Sequence, residues 1–393
     1  MKHPLNKVIQ TFEGSGIRRF FGMASQMKDV ISLGVGEPDF ETPWHIRERA
    51  IESIRKGQTF YTENSGLLEL REGVAQFEKR HHNLEYDPKT EIMMTIGCSE
   101  AIDLAFRVML DPGDEVIVVQ PSYVSYIPSI TLTGAKPVVL PLKEENKFRL
   151  TPQELENAIT PKTKAVVISF PNNPTGAIME ENELRELAKV IKKHDIFVVS
   201  DEVYSELTYT DTPHFSIASV EGMKERTVVL NGFSKAFSMT GWRLGYAMAP
   251  EIIIQNMIKV RQYTTVAPTT FVQYAAIDAI NDSDDDIEMM REAYNQRRRF
   301  LMNAFSKMGI ACFEPEGAFY VFLNIKQFNM SSEEFCMRLL KDQKVAVVPG
   351  SAFGASGEGY VRISYAYSLD QLKKAMARLG EFIDAIRQEN INS

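Results

Sequence analysis

The stretch AVVISFPNNPTGAIMEENELRELAKVIKKHDIFVVSDEVY, Ala165 to Tyr204, contains two short β-branched runs separated by an amphipathic segment. Leu184, Leu187, Ala188 and Ile191 recur in that segment at helical spacing inside a charged background, which predicts a helix covering one face of a sheet. The flanking runs, AVVISF (Ala165 to Phe170) and IFVVSD (Ile196 to Asp201), are apolar on both faces, as buried strands of a parallel sheet are. Strand, helix, strand in that order specifies an α/β fold.

The same pattern extends in both directions. IMMTI (Ile92 to Ile96), EVIVV (Glu115 to Val119), KPVVL (Lys136 to Leu140) and TVVLN (Thr227 to Asn231) read as further strands of a mostly parallel, seven-stranded-type sheet between helices. After Pro250 long polar helices take over, among them Ile287 to Met308, whose Arg297, Arg298 and Arg299 read as a solvated face. FYVFL (Phe319 to Leu323), VAVVP (Val345 to Pro349) and YVRISYA (Tyr360 to Ala366) follow, with helices around Glu333 to Leu340 and from Leu369, giving a smaller α+β domain. A chain of 393 residues exceeds the ~250 to 300 that one core usually serves. The expected division is an N-terminal segment at 1–45 packed on the small domain, a large domain at 46–285, and the small C-terminal domain at 286–393.

Composition narrows the function. The net charge of −8, with no block of like charge, repels phosphate backbones and anionic lipid, so nucleic acid and membrane surfaces are poor partners. No apolar run approaches the ~18 residues of a membrane span, and MKHPLNKVIQTFEGSG at the start has no apolar core behind its lysines. Cys98, Cys312 and Cys336 are odd in number and far apart, which suits a reducing cytoplasm better than a disulfide framework. His81 and His82 lack metal-binding spacing, read as exposed, and leave no metal site in view.

Four polar clusters fall where predicted strands end, the edge at which open α/β sheets gather ligands. TIGCSEA (Thr95 to Ala101) turns a strand into a helix and offers free N–H groups and a hydroxyl, a cradle for phosphate. FPNNPTGA (Phe170 to Ala177) is a loop stiffened by prolines, and SDEVY (Ser200 to Tyr204) delivers Asp201 at a strand end with Tyr204 beyond. NGFSKAFSMTGWRLGY (Asn231 to Tyr246) sets Lys235 among hydroxyls and aromatic rings, with Arg243 eight residues on. A lysine in apolar surroundings loses its proton readily and attacks aldehydes. Each cluster alone is more often a turn, a cap or a surface lysine. Together they match one cofactor, pyridoxal 5'-phosphate: an amine for its aldehyde, a helix start with an arginine for its phosphate, a carboxylate for its ring nitrogen.

PNNPTG, SDEVY, SKAFSMTGWRLGY, LGVGEPDF (Leu33 to Phe40), YTENSG (Tyr61 to Gly66) and YVRIS (Tyr360 to Ser364) together resemble the class I/II pyridoxal-phosphate aminotransferases of fold type I, from about Gly16 to the last helix. The resemblance implies that Lys235 carries the cofactor, that Asp201 faces its ring nitrogen, and that Tyr204 and Asn173 donate to its phenolic oxygen. It implies Cys98, Ser99, Ser234 and Arg243 around the phosphate, Tyr123 stacked on the ring, and Tyr61 reaching over from the other subunit of a homodimer. Arg362 is implied to pair with the substrate α-carboxylate, helped by Asn173 and the Gly36 backbone, in the forked geometry of a guanidinium. Relatives usually carry glycine or alanine at position 98 and, where aspartate is preferred, lysine at position 99, so Cys98 and Ser99 are departures.

The expected activity is a ping-pong amino-acid aminotransferase that prefers aromatic amino acids or alanine over aspartate, with a 2-oxo acid such as 2-oxoglutarate as acceptor. Ile17 is expected to give the pocket an apolar wall, with Arg18 or Arg19 as the nearest spare cations. The alternatives are a carbon–sulfur β-lyase on the same fold and a cofactor-dependent regulator, the latter needing a DNA-binding segment on an acidic chain. Cys98, at a helix start, is expected to have a lowered thiol pKa.

Overall fold

The computed structural model describes residues 5–11, 14 and 27–392. Strand β1 (Ile31–Ser32) belongs to the C-terminal part of the molecule, as described below. The main sheet has seven strands: β2 (Ile92–Thr95), β3 (Glu115–Gln120), β4 (Lys136–Pro141), β5 (Thr163–Ser169), β6 (Phe197–Asp201), β7 (Thr227–Gly232) and β8 (Gly245–Met248). Their order is β2-β8-β7-β6-β5-β3-β4, and only β8 runs antiparallel to its neighbours. Every residue of β3 and β7 is buried, whereas the edge strand β4 is largely exposed, which explains the unbroken apolar runs of the inner strands.

Helices close both faces. Ile117, Val119, Val166, Ile168 and Val198 pack with Leu184, Leu187, Ala188 and Ile191 of the helix Glu181–His194. The alternate residues Val116, Val118, Val167, Val199 and Leu230 meet Ala101, Ile102 and Ala105 of the helix Gly97–Met109 on the other side. The expected α/β architecture is therefore present, with the C-terminal ends of β2, β3, β5, β6 and β7 along one edge.

The C-terminal strands are β9 (Tyr320–Asn324), β10 (Val345–Ala346), β11 (Val348–Pro349) and β12 (Tyr360–Ser364). VAVVP thus splits in two: β10 pairs in parallel with β1, and β11 joins the antiparallel sheet β11-β12-β9. Leu33 donates its N–H to Ala346 O and accepts from Ser364 N, both at 2.8 Å, so the segment after β1 is laced into the C-terminal strands.

Two surface readings need correction. Only Arg299 of the arginine run is solvated. Arg297 pairs with Asp39 at 2.7 Å and lies over Phe40 and Tyr294, and Arg298 pairs with Glu314 at 2.6 Å and covers Tyr209. Their long stems cover aromatic surface while the heads find carboxylates.

His81 and His82 end the helix Leu68–His82 and are not exposed. His82 is buried with Nε2 2.8 Å from Glu206 Oε1, and His81 Nδ1 lies 3.0 Å from Glu206 Oε2. Burial alone would lower the His82 pKa, but Glu78 and Glu206 raise it to about 9. Burial pushes Glu206 up, yet the two imidazoles hold it well below the carboxylate range.

Stability gained from a raised histidine pKa is fully present below the ordinary value near 6.5 and is lost as pH rises through about 9. Removing one partner of a buried pair costs about 3 kcal/mol or more. His82→Gln should therefore melt well below wild type at pH 6, and the gap should narrow by pH 9.5. A gap that stays constant over that range would remove the ion pair from the account.

Candidate active site

Lys235 lines a cavity of about 360 Å³ at the C-terminal edge of the main sheet. Strand ends deliver the side chains: Cys98 and Ser99 follow β2, Tyr123 follows β3, Asn173 follows β5, Asp201 ends β6, and Ser234 and Lys235 follow β7. Arg243 precedes the antiparallel β8, so it enters from the same edge. The C-terminal strands add Arg362 from β12 and the Gly34–Gly36 backbone that follows β1.

Lys235 is partly buried and donates to Gly36 O at 2.6 Å. Burial pulls its pKa down to about 8 against the opposing pull of Glu37. Asp201 is buried and accepts from Tyr126 Oη at 2.6 Å and from Val203 N at 3.3 Å. Burial lifts its pKa, while those two hydrogen bonds and Lys235 hold it down. A positive N–H placed before such a carboxylate would be strongly favoured.

At the start of the helix Gly97–Met109 the amides of the first turn have no intrahelical acceptor. Glu100 takes the Ile96 N–H at 2.6 Å and pairs with Arg261 at 2.6 Å, so this end is rigidly held. Gly97 has φ +68°, and a Cβ there would stand 2.7 Å from Arg243 Nη2. Glycine thus lets a guanidinium lie against a helix N-terminus, with Ser99 and Ser234 alongside in the cavity lining. This is an anion cradle.

Cys98 sits in this cradle, but its thiol pKa is raised, not lowered, as burial and the Asp201 charge outweigh Lys235 and Arg243. The helix dipole alone was a poor guide to that thiol.

Arg362 is buried, donating from Nη1 to Asn173 Oδ1 at 2.8 Å and from Nη2 to Gly34 O at 2.5 Å. Among the described residues its Nε has no partner, and each terminal nitrogen keeps a second N–H, so the fork still has donors for a carboxylate. Burial lowers the Arg362 pKa without approaching neutrality for so strong a base.

Eleven residues singled out from the sequence line this cavity: Gly36, Cys98, Ser99, Tyr123, Asn173, Asp201, Tyr204, Ser234, Lys235, Arg243 and Arg362. Tyr61 does not; it is 87% exposed. Ile17, Arg18 and Arg19 lie outside the described residues. The sequence counts Tyr126 only among the aromatic residues near the pocket and gives no role to Tyr320, although both line the cavity. Among the described residues no group of three or more His, Cys, Asp or Glu could hold a metal ion, and no helix is long and apolar enough to cross a membrane.

The residues present fit pyridoxal 5'-phosphate: one amine of lowered pKa, an anion cradle, and a buried carboxylate facing the space between them. Comparison with known proteins agrees. A family model described as "Aminotransferase class I and II" matches residues 28–379. An aromatic-amino-acid aminotransferase of Thermococcus litoralis is 46% identical, over 95% of this chain and 97% of its own. An aspartate aminotransferase of Pyrococcus abyssi is 48% identical, over 93% of this chain and 94% of its own. The crystal structure of an aromatic aminotransferase from Pyrococcus horikoshii OT3 superposes with a TM-score of 0.90 at 46% identity, covering 95% of this chain and 100% of that one. Motifs, sheet, cavity and relatives converge, and the chain belongs to the class I and II aminotransferases, pyridoxal-phosphate-dependent enzymes acting on amino acids and 2-oxo acids.

Proposed function

We propose that this aminotransferase uses uncharged donors, aromatic amino acids or alanine, in preference to aspartate, with 2-oxoglutarate as acceptor. The observation that carries the preference is the set of cations in the cavity lining: among the described residues these are Lys235, Arg243 and Arg362. All three have other work, at the amine, the phosphate and the α-carboxylate. Position 99 holds a serine, which adds no charge for a distal carboxylate. Tyr123, Tyr126, Ile102 and Val35 supply apolar and aromatic wall instead. The related proteins carry both aromatic and aspartate names, so relatedness alone leaves the choice open.

Pyridoxal phosphate, when bound, supplies an aldehyde that takes the amino group and a ring that accepts an electron pair. The protein holds and moves protons around it. Arg362 binds the substrate α-carboxylate through its fork, steadied by Asn173 and by Gly34 O. Lys235, its pKa lowered to about 8, would take the proton from the substrate Cα at Nζ and deliver it to the cofactor's aldehyde carbon in the same half-reaction, and do the reverse in the other. Asp201, held by Tyr126 and the Val203 amide, would pair with the ring nitrogen. Ser99, Ser234, Arg243 and the first turn of the helix Gly97–Met109, with the Cys98 backbone, would hold the phosphate. Tyr204 and Asn173 would donate to the phenolic oxygen, and Tyr123 would cover the ring.

The exposed Phe60, Tyr61 and Tyr263 favour a face that a second copy covers, in a homodimer where Tyr61 completes the partner's phosphate site. The chain divides at about residues 45 and 285 into N-terminal segment, large domain and small domain. Three free thiols suit the cytoplasm.

The test is kcat/KM for phenylalanine, tyrosine, alanine and aspartate at fixed 2-oxoglutarate. Uncharged donors should lead, by a moderate margin, because a hydrophobic pocket separates side chains by only ~1 to 3 kcal/mol per methylene. Aspartate ahead by tenfold or more overturns the preference. Pyruvate and ammonia released from cystathionine faster than any transfer would favour the β-lyase.

A further inference from the structure

Three parts of the cavity meet on one buried side chain, Tyr320 at the start of β9. Its ring lies 4.4 Å from the Arg362 guanidinium carbon, and the Phe353 ring lies 4.8 Å from the same carbon. Strand register dictates this contact. Arg362 pairs with Phe322 across the antiparallel ladder, and Tyr320, two residues earlier, shares that face as the diagonal neighbour.

The Tyr320 hydroxyl lies 2.8 Å from Tyr204 Oη, and Tyr204 follows the β6 end that carries Asp201. On the third side, a Cβ at Gly36 would fall 2.5 Å from Tyr320 Oη. Glycine alone lets the backbone pass there, and its carbonyl receives the Lys235 amine.

We propose that Tyr320 is a positioning residue whose ring aligns the Arg362 fork with the substrate carboxylate and whose hydroxyl aims Tyr204 at the cofactor's phenolic oxygen. The proposal rests on the roles given above to Arg362 and Tyr204. A buried guanidinium has lost the water that would solvate its faces, and aromatic faces replace it. Two of its donor groups are tied to Asn173 and Gly34, so the rings decide the tilt of the plane. The Arg362 guanidinium lies against the Tyr320 ring, and a positive charge beside a phenol strengthens it as a donor. Either hydroxyl can donate to the other; in the arrangement proposed Tyr320 donates, which leaves the single proton of Tyr204 to point into the cavity.

The test uses the holoenzyme and three variants. Tyr320→Leu removes ring and hydroxyl and should raise KM for both the amino donor and the 2-oxo acid roughly tenfold, with kcat within about threefold, because both substrates carry the carboxylate that Arg362 binds. Tyr320→Phe keeps the ring, so both KM values should stay within about twofold of wild type. Its bound cofactor should instead change visible absorption at a pH about half a unit or more higher, the effect of one weakened hydrogen bond.

Unchanged KM values in Tyr320→Leu, or a rise for one substrate only, overturn the ring's role. An unshifted absorption midpoint in Tyr320→Phe overturns the hydroxyl's, and this arm decides alone if the leucine variant fails to fold. Arg362→Lys separates the two levels of argument. If it raises both KM values while Tyr320→Leu does not, only the Tyr320 proposal falls; if it leaves them unchanged, the carboxylate reading beneath it falls as well.

Discussion

Replacing Lys235 by alanine abolishes measurable turnover while the protein keeps its fold and still takes up cofactor. No other amine lines the cavity among the described residues, so the proton at the substrate Cα loses its carrier. General-base removal alone typically costs 10² to 10⁴-fold. Loss of the amine that receives the aldehyde adds to this.

Folding should not suffer. Among the described residues Lys235 makes one hydrogen bond, to Gly36 O, and its lowered pKa means the folded state disfavours the charged amine. By linkage the unfolded chain binds the extra proton between about pH 8 and the ordinary lysine value of 10.5, so this residue opposes folding below that window and the opposition fades as pH rises through it. The alanine variant should melt at or above the wild-type temperature at pH 7. Turnover near that of wild type would sink the assignment of the amine. A collapse in melting temperature would sink the reading of its environment.

Asp201→Ala is expected to cost about 10²-fold or more in kcat, with weaker retention of cofactor. The carboxylate is the one anion buried at the end of β6 facing the cavity, and charged groups aimed at a reacting centre are commonly worth a few kcal/mol. Asp201→Asn, which keeps the Tyr126 contact but not the charge, should be nearly as slow; Asp201→Glu should recover part of the rate. An alanine variant retaining more than about a tenth of wild-type kcat, a loss under ~1.4 kcal/mol, contradicts the role.

Much of this was legible in the sequence because parallel strands buried on both faces leave continuous apolar runs, and residues at their ends are few and chemically distinctive. β3, β5, β6 and β7 all begin and end within two residues of the expected places. β8 was not seen: GYAM is four residues long, follows a turn directly, and is antiparallel, so it breaks the strand–helix alternation. VAVVP read as one strand because its split depends on which partner each half meets, β1 or β12.

The side-chain errors share a cause. His82 and Arg298 were judged by local polarity, yet their partners, Glu206 and Glu314, are brought to them by the fold. Cys98 was judged by the helix start, while burial sets its acidity. Tyr320 gains its meaning only from the register that sets it diagonal to Arg362.

The contact between Arg362 and Gly34 O joins residues 328 apart in sequence, and Leu33 is hydrogen-bonded to both Ala346 and Ser364. Such a contact closes one of the longest loops the chain can form, at a high cost in closure entropy. On the ribosome, the residues proposed to hold phosphate, ring nitrogen and aldehyde have all been made by Arg243, more than a hundred residues before Arg362 emerges. A nascent chain can therefore build its cofactor cradle first and gain its grip on substrate only when the two ends of the polypeptide meet.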